Sequence, residues 1–113
     1  FVKDFPASQA ALAQKKRLDS GVWVAQRAEF YWHGMEIANG YQELTDPVEQ
    51  RARFEADLSY RREHGLNELP IPEALLQVLE TGLPDSAGVA LGVDRLLMVC
   101  LRCEKVLDLV ISP

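Results

Sequence analysis

A run rich in β-branched and aromatic residues, 22–32, leads into His33-Gly34 and then into a second extended run, 35–44. Two strand-forming runs separated by two residues, one of them Gly, read as a hairpin, because Gly takes positive φ without a Cβ penalty. This feature commits the chain to antiparallel pairing. With His33 and Gly34 as the loop, Trp32 pairs with Met35 and Tyr31 with Glu36. Side chains alternate along a strand, so Glu29, Tyr31 and Glu36 share one face.

Glu29 and Glu36 then become diagonal neighbours across the two strands, about 7–8 Å apart at Cα. Two carboxylates that close converge on one cation; left alone they repel, and one pKa rises. Mg²⁺ suits such a pair, since it takes one or two carboxylates and completes its shell with phosphate oxygens and water. On pattern alone, two unrelated glutamates on a solvated face fit as well, because acidic residues are mostly exposed. Asn39, Tyr41 and Glu43 share one parity, opposite to that of Glu36. For all of them to serve one pocket the strand must slip by one residue. A bulge at residues 38–40 is the expected place, because Gly40 permits it. Glu43 could then meet an ammonium group, and Tyr41 could wall an aliphatic chain.

Around the hairpin the pattern is mixed. Residues 1–5 read as a strand ended by Pro6, and Ser8 as a cap for a helical turn in 7–13. Residues 15–21 are polar and read as a loop, with Lys15-Lys16-Arg17 a solvated basic run. Asp46 as N-cap, Pro47 at the first helical position and Glu49 at the third predict a helix start. That helix should run to about His64, with Gly65 as its stop, and its apolar face is limited to Phe54 and Leu58. A second helix opening at Pro72 should bury Leu75, Val78, Leu79 and Gly82. Residues 88–93 read as a short buried strand, and Asp94 as the N-cap of the apolar helix that follows. His33 is expected in the turn and His64 at a helix C-terminus, where the dipole favours it. Trp23, Trp32 and Phe54 are expected as packing groups. Residues 106–111 fit either a helix end or a strand. Strands, hairpin, helices, strand and helix in this order predict an α+β fold with an antiparallel sheet.

Composition limits the rest. The chain has 113 residues, one domain's worth, with 48% hydrophobic and 26% charged residues. Its net charge of −5 argues against binding to a phosphate backbone. No apolar run approaches the roughly 20 residues a membrane helix needs, so no membrane partner is expected. Cys100 and Cys103 lack the second pair a structural zinc site requires and are expected as buried helical thiols, in keeping with a cytoplasmic location.

Two segments carry a resemblance. Glu36-Ile37-Ala38-Asn39-Gly40-Tyr41-Gln42-Glu43-Leu44-Thr45-Asp46 resembles the lysine-recognition segment of class II lysyl-tRNA synthetases, and Ala87-Gly88-Val89-Ala90-Leu91-Gly92-Val93-Asp94-Arg95-Leu96 resembles motif 3 of that class. Phe5-Pro6-Ala7-Ser8-Gln9-Ala10 and Ala90 are more similar to the branch of the family that attaches (R)-β-lysine to elongation factor P. The resemblance runs from about residue 1 to 110. It implies the motif 3 part of a class II catalytic domain over residues 1–113, an antiparallel sheet flanked by helices, with motifs 1 and 2 absent.

The resemblance also implies roles. Glu29 and Glu36 would hold Mg²⁺ and the phosphates of ATP, and Asn39 would contact the substrate carboxylate and α-phosphate region. Glu43 would bind the ε-ammonium of lysine. Gly92 would let the backbone approach the nucleotide. Arg95, the motif 3 arginine and the catalytic candidate, would lie against adenine and near the terminal phosphates. Tyr41 stands where the synthetases usually carry Phe. Ala90 stands where lysyl-tRNA synthetases carry Gly, and its methyl suits a β-amino acid. The implied activity is activation of lysine or (R)-β-lysine with ATP and Mg²⁺, then transfer to a lysine side chain of elongation factor P. Charging of tRNA and a non-catalytic binding module are the alternatives. Without motif 2 the segment alone is expected to form no adenylate. The full-length protein is expected to be a homodimer, and the segment to self-associate through uncovered edges.

Overall fold

The structure, a computed structural model, describes residues 1–109. The elements in chain order are β1 (Val2–Pro6), a 3₁₀ turn (Ala7–Gln9), β2 (Lys15–Arg17), β3 (Trp23–Trp32), β4 (Met35–Gln42), α1 (Pro47–Glu63), α2 (Glu73–Gly82), β5 (Ala87–Leu91), α3 (Val93–Leu101) and a closing 3₁₀ turn (Val106–Leu109). The architecture is α+β, with every strand pairing antiparallel. The chain divides into two compact units, one formed by Phe1–Gln42 with the segment from Ala87 onward, the other by Glu43–Ser86.

The first unit is the sheet, ordered β1-β3-β4-β5 with β2 also paired to β3. The hairpin turn is as expected: His33 and Gly34 both take positive φ, 49° and 78°, and Trp32 faces Met35 while Tyr31 faces Glu36. Paired positive φ values give the turn the twist that the flanking strands need. One face of the sheet is packed under the 3₁₀ turn by Ala10, Ala13 and Ala25, with Phe5 and Tyr41 against them. Residues 15–17, expected as loop, form β2 instead. Their side chains are all exposed, so a polar strand on the rim carries no alternating signal to read. β5, expected as buried, is almost wholly exposed, with Val89 77% and Leu91 53% accessible. It pairs only with β4 among the described residues. The 3₁₀ turn at residues 7–9 begins at Pro6 with no side-chain cap, so Ser8 does not cap it. The N-cap of α3 is Gly92, and Asp94 lies inside the first turn. Cys100 is exposed and Cys103 half-buried beyond the end of α3, contrary to the expected buried thiols. Trp23 and Trp32 are 56% and 41% exposed and are not core groups. The expectation for residues 106–111 resolves to a 3₁₀ turn as far as Leu109; its remainder lies outside the described residues.

In the second unit the helix start is as the sequence dictates. Asp46 Oδ1 accepts from the backbone N–H groups of Val48 and Glu49 at 2.8 and 3.1 Å, with Pro47 at the first position. The helix ends at His64, whose ring stacks on Tyr60 with centroids 3.9 Å apart, and Gly65 follows at φ +64°. In α2 the stripe is rotated from the expected one. Leu76 and Leu79 are buried at 1% and 4% exposure, while Leu75 and Val78 are 37% and 52% exposed. Both stripes satisfy helical spacing, and the phase is decided by packing that periodicity does not specify. A bidentate pair, Arg51 to Glu73 at 3.0 and 2.6 Å, ties α1 to the start of α2.

Candidate active site

The β3–β4 register contains the slip that the parity of the residues demands. Glu36 opposes Tyr31, Ala38 opposes Phe30, and Ile37 between them has no partner. The bulge therefore sits at Ile37 and not at 38–40; Gly40 stays in register opposite Ala28. Ile37 is buried at 2% exposure, and its carbonyl accepts from Gly92 N–H at 2.8 Å. An apolar side chain that gains burial and a carbonyl with a partner elsewhere make it the natural extra residue. Gly40 matters for close packing instead. A Cβ there would stand 3.0 Å from Gly88 O, so its lack of a side chain lets β5 close on β4.

Past the bulge, one row of residues crosses the sheet. Glu29 on β3 faces Asn39 on β4, and Asn39 faces Ala90 on β5. Asn39 Nδ2 donates to Glu36 Oε1 at 3.0 Å, so the slip joins residues that unbroken alternation would separate. Arg95 on α3 reaches back to the same place. Its Nη1 donates to the Glu36 carbonyl at 3.0 Å and lies 3.9 Å from Glu36 Oε2. Gly92 sits at the foot of α3, where an added Cβ would come into ordinary contact with the Arg95 side chain at 3.4 Å and the Ile37 carbonyl at 3.5 Å. Tyr41 lies one row along, opposite Arg27. Glu29, Glu36, Asn39, Tyr41, Ala90, Gly92 and Arg95 thus belong to one compact unit. Glu43 is the first residue of the other, where its backbone N–H donates to Ser86 O at 2.9 Å.

Glu29 is buried at 3% exposure, and each of its carboxylate oxygens has one partner. Tyr31 Oη donates to its Oε2 at 2.6 Å, and Arg27 Nη2 forms an ion pair with Oε1. The Tyr31 hydroxyl is the main influence holding the Glu29 carboxyl below its ordinary value; burial opposes this and Arg27 adds to it. The same hydrogen bond pushes the Tyr31 phenol up, and the negative charge of Glu36 acts on it as well. The carboxylates of Glu29 and Glu36 therefore both act on one phenol. Arg27 is the contact the sequence reading passes over. The i,i+2 spacing from Glu29 places it on the same strand face, but that spacing alone does not reveal the contact.

Glu29, Glu36 and Asn39 offer two carboxylates and one amide, and among the described residues no group of three or more His, Cys, Asp or Glu is placed to hold a metal ion. This fits a cation that takes part of its shell from phosphate and water, as Mg²⁺ does, and fits poorly a cation that needs an all-protein cage. A cavity of about 350 Å³ is lined by Lys3, Asp4, Lys16, Gln26, Ala28, Gly88 and neighbours. Of the candidate residues only Tyr41 lines it, and Arg27, the ion-pair partner of Glu29, lines it as well. No helix among the described residues is long and apolar enough to cross a membrane.

Comparison with known proteins identifies the family of the chain. The family described as tRNA synthetases class II (D, K and N) matches residues 1–113. The chain is 54% identical over 110 residues to an elongation factor P–(R)-β-lysine ligase of Edwardsiella ictaluri, covering 97% of this chain and 33% of that protein. It is 51% identical over 113 residues to the protein so named in Proteus mirabilis, covering 100% and 34%. With that of Vibrio campbellii it shares 55% identity over 106 residues, covering 94% and 32%. The chain thus spans about a third of the length of the curated relatives it matches.

Proposed function

We propose, from the premise that this chain belongs to the class II tRNA synthetases of the D, K and N group, that it supplies part of the active site of an ATP-dependent ligase. The ligase activates (R)-β-lysine or lysine as the adenylate and passes it to a lysine side chain of elongation factor P. The names of the relatives support the substrate and the acceptor. The observation that carries the reading is the Glu29–Asn39–Ala90 row with Glu36 and Arg95 bonded into it.

The chemistry suits these groups. An oxygen of the amino-acid carboxylate attacks the α-phosphorus of ATP, and pyrophosphate leaves. The ε-amine of the acceptor lysine then attacks the acyl carbon, and AMP leaves. Neither step needs a protein nucleophile; both need charge neutralisation and alignment. Mg²⁺, when bound, neutralises phosphate charge, and Glu29 with Glu36 would hold it. Asn39, fixed by its bond to Glu36, orients the carboxylate near the α-phosphate. Arg95, bonded to the Glu36 carbonyl, would lie against the adenine of bound ATP and bring its charge near the terminal phosphates. Tyr41 walls the aliphatic chain, and the Ala90 methyl narrows the place of the amino-acid backbone in favour of a β-amino acid. Glu43 receives the distal ammonium; its support is the sequence motif alone.

Amino-acid-dependent exchange of pyrophosphate into ATP by the full-length protein tests the reading. Wild type should exchange with (R)-β-lysine, and Glu36→Gln should lower kcat/KM by at least about tenfold, the low end for a hydrogen bond to a charged group. Absence of exchange in the wild type with either amino acid would refute it.

A further inference from the structure

The Arg27 guanidinium is held by groups from several elements of the first unit, with its side chain still 22% exposed. It lies 4.6 Å from the centroid of the Phe5 ring on β1 and 5.7 Å from that of Tyr41 on β4. Its Nη1 donates to Gln9 O at 3.1 Å, in the 3₁₀ turn, and its Nη2 pairs with Glu29. The Nε is buried with no acceptor among the described residues. A planar fork stacked on rings and aimed at two acceptors has one orientation, which a flexible ammonium cannot reproduce. Glu29, in turn, has its two oxygens fixed separately, one by Arg27 and one by Tyr31. Each carboxylate oxygen keeps a second lone pair for a further partner.

We infer that Arg27 is a positioning residue. Clamped against Phe5 and Tyr41, it sets the rotation of the Glu29 carboxylate so that its free lone pairs meet a nucleotide-bound divalent cation. Tyr31 sets the same rotation from the other oxygen. The inference rests on the nucleotide-site reading above and adds to it. Arg27 touches neither substrate nor cation; it acts through Glu29. Its contact with Tyr41 also places the metal side of the site and the wall of the amino-acid pocket on one guanidinium.

Calorimetric titration of the full-length protein with ATP, with MgCl₂ and with EDTA, tests this without relying on turnover. Wild type should bind ATP more tightly with Mg²⁺. Arg27→Lys, which keeps the charge and loses the fork, should weaken binding about tenfold with Mg²⁺ and less than about twofold in EDTA, the size expected for loss of one charge-assisted hydrogen bond. Tyr31→Phe should act in the same direction, and since it removes only a hydroxyl it guards against misfolding of the lysine variant. In pyrophosphate exchange, both variants should raise the Mg²⁺ concentration for half-maximal rate while kcat recovers at saturating Mg²⁺. If both variants weaken ATP equally with and without Mg²⁺, or leave it unchanged, Arg27 has no positioning role although the nucleotide site stands. If wild type itself binds ATP no better with Mg²⁺, the nucleotide-site reading fails and this inference fails with it.

Discussion

Glu36 is held from two sides, by Asn39 through its side chain and by Arg95 through its backbone carbonyl, so each neighbour can be tested separately. Asn39→Ala removes one partly buried hydrogen bond and should lower stability by about 1 kcal/mol in urea denaturation. It should also raise KM for the amino acid, since nothing else fixes the Glu36 carboxylate at that oxygen in the described contacts. Glu43→Gln should raise KM for (R)-β-lysine by about 10–150-fold and leave KM for ATP within about twofold, the range expected for a hydrogen bond to a charged partner. Equal effects on both substrates would remove Glu43 from the amino-acid pocket. Parity was enough to require a slip between Glu36 and Asn39. Its position was not legible, because the expectation followed Gly40, whereas burial of Ile37 decided the outcome. Arg27 went unread because a lone basic residue in a strand looks like surface until its aromatic neighbours on β1 and β4 are known.

At the scale of elements, signals that are local in sequence were legible and those set by packing were not. The His33-Gly34 turn and the Asp46 cap rest on a few adjacent residues and appear as expected. β2, the phase of α2 and the exposure of β5 depend on neighbours far along the chain, and the sequence pattern did not reveal them. Asp46→Ala should cost about 1 kcal/mol of stability by denaturant titration, since two N–H groups lose their acceptor. Gly40→Ala should destabilise by about 1–3 kcal/mol, because Gly88 O stands in the path of the new methyl. The Arg51–Glu73 pair has a pH signature. Its hydrogen bond is the main reason that the Glu73 carboxyl sits below its ordinary value of 4.5. A carboxyl whose pKa is depressed on folding stabilises the fold above its unfolded pKa and stops doing so as pH falls through its folded pKa. Arg51→Gln should therefore melt slightly lower than wild type at pH 7, and the two curves should converge below the ordinary carboxylate range. The pair is exposed, so the gap should also shrink in high salt.

At the scale of the molecule, the first unit presents much apolar surface: Val89, Leu91, Val93, Leu97 and Leu101 on β5 and α3 are each at least 43% exposed. Val93, Leu97 and Leu101 share one face of α3 by their i,i+4 spacing, and an exposed apolar stripe of this kind is normally covered. The isolated segment should therefore sediment as an associated species, and a strictly monomeric particle would contradict that. The family was legible from two motifs because they are contiguous in sequence, whereas the row that links them is visible only across three strands. The central claim concerns what the full-length protein carrying this segment does with that row. The direct measurement is to supply it with ATP, Mg²⁺ and labelled (R)-β-lysine or α-lysine, together with elongation factor P and tRNA, and to follow the label. Label from (R)-β-lysine should appear on a lysine side chain of elongation factor P, with α-lysine a poorer donor and tRNA unlabelled. Label on tRNA alone, or on neither acceptor, would contradict it.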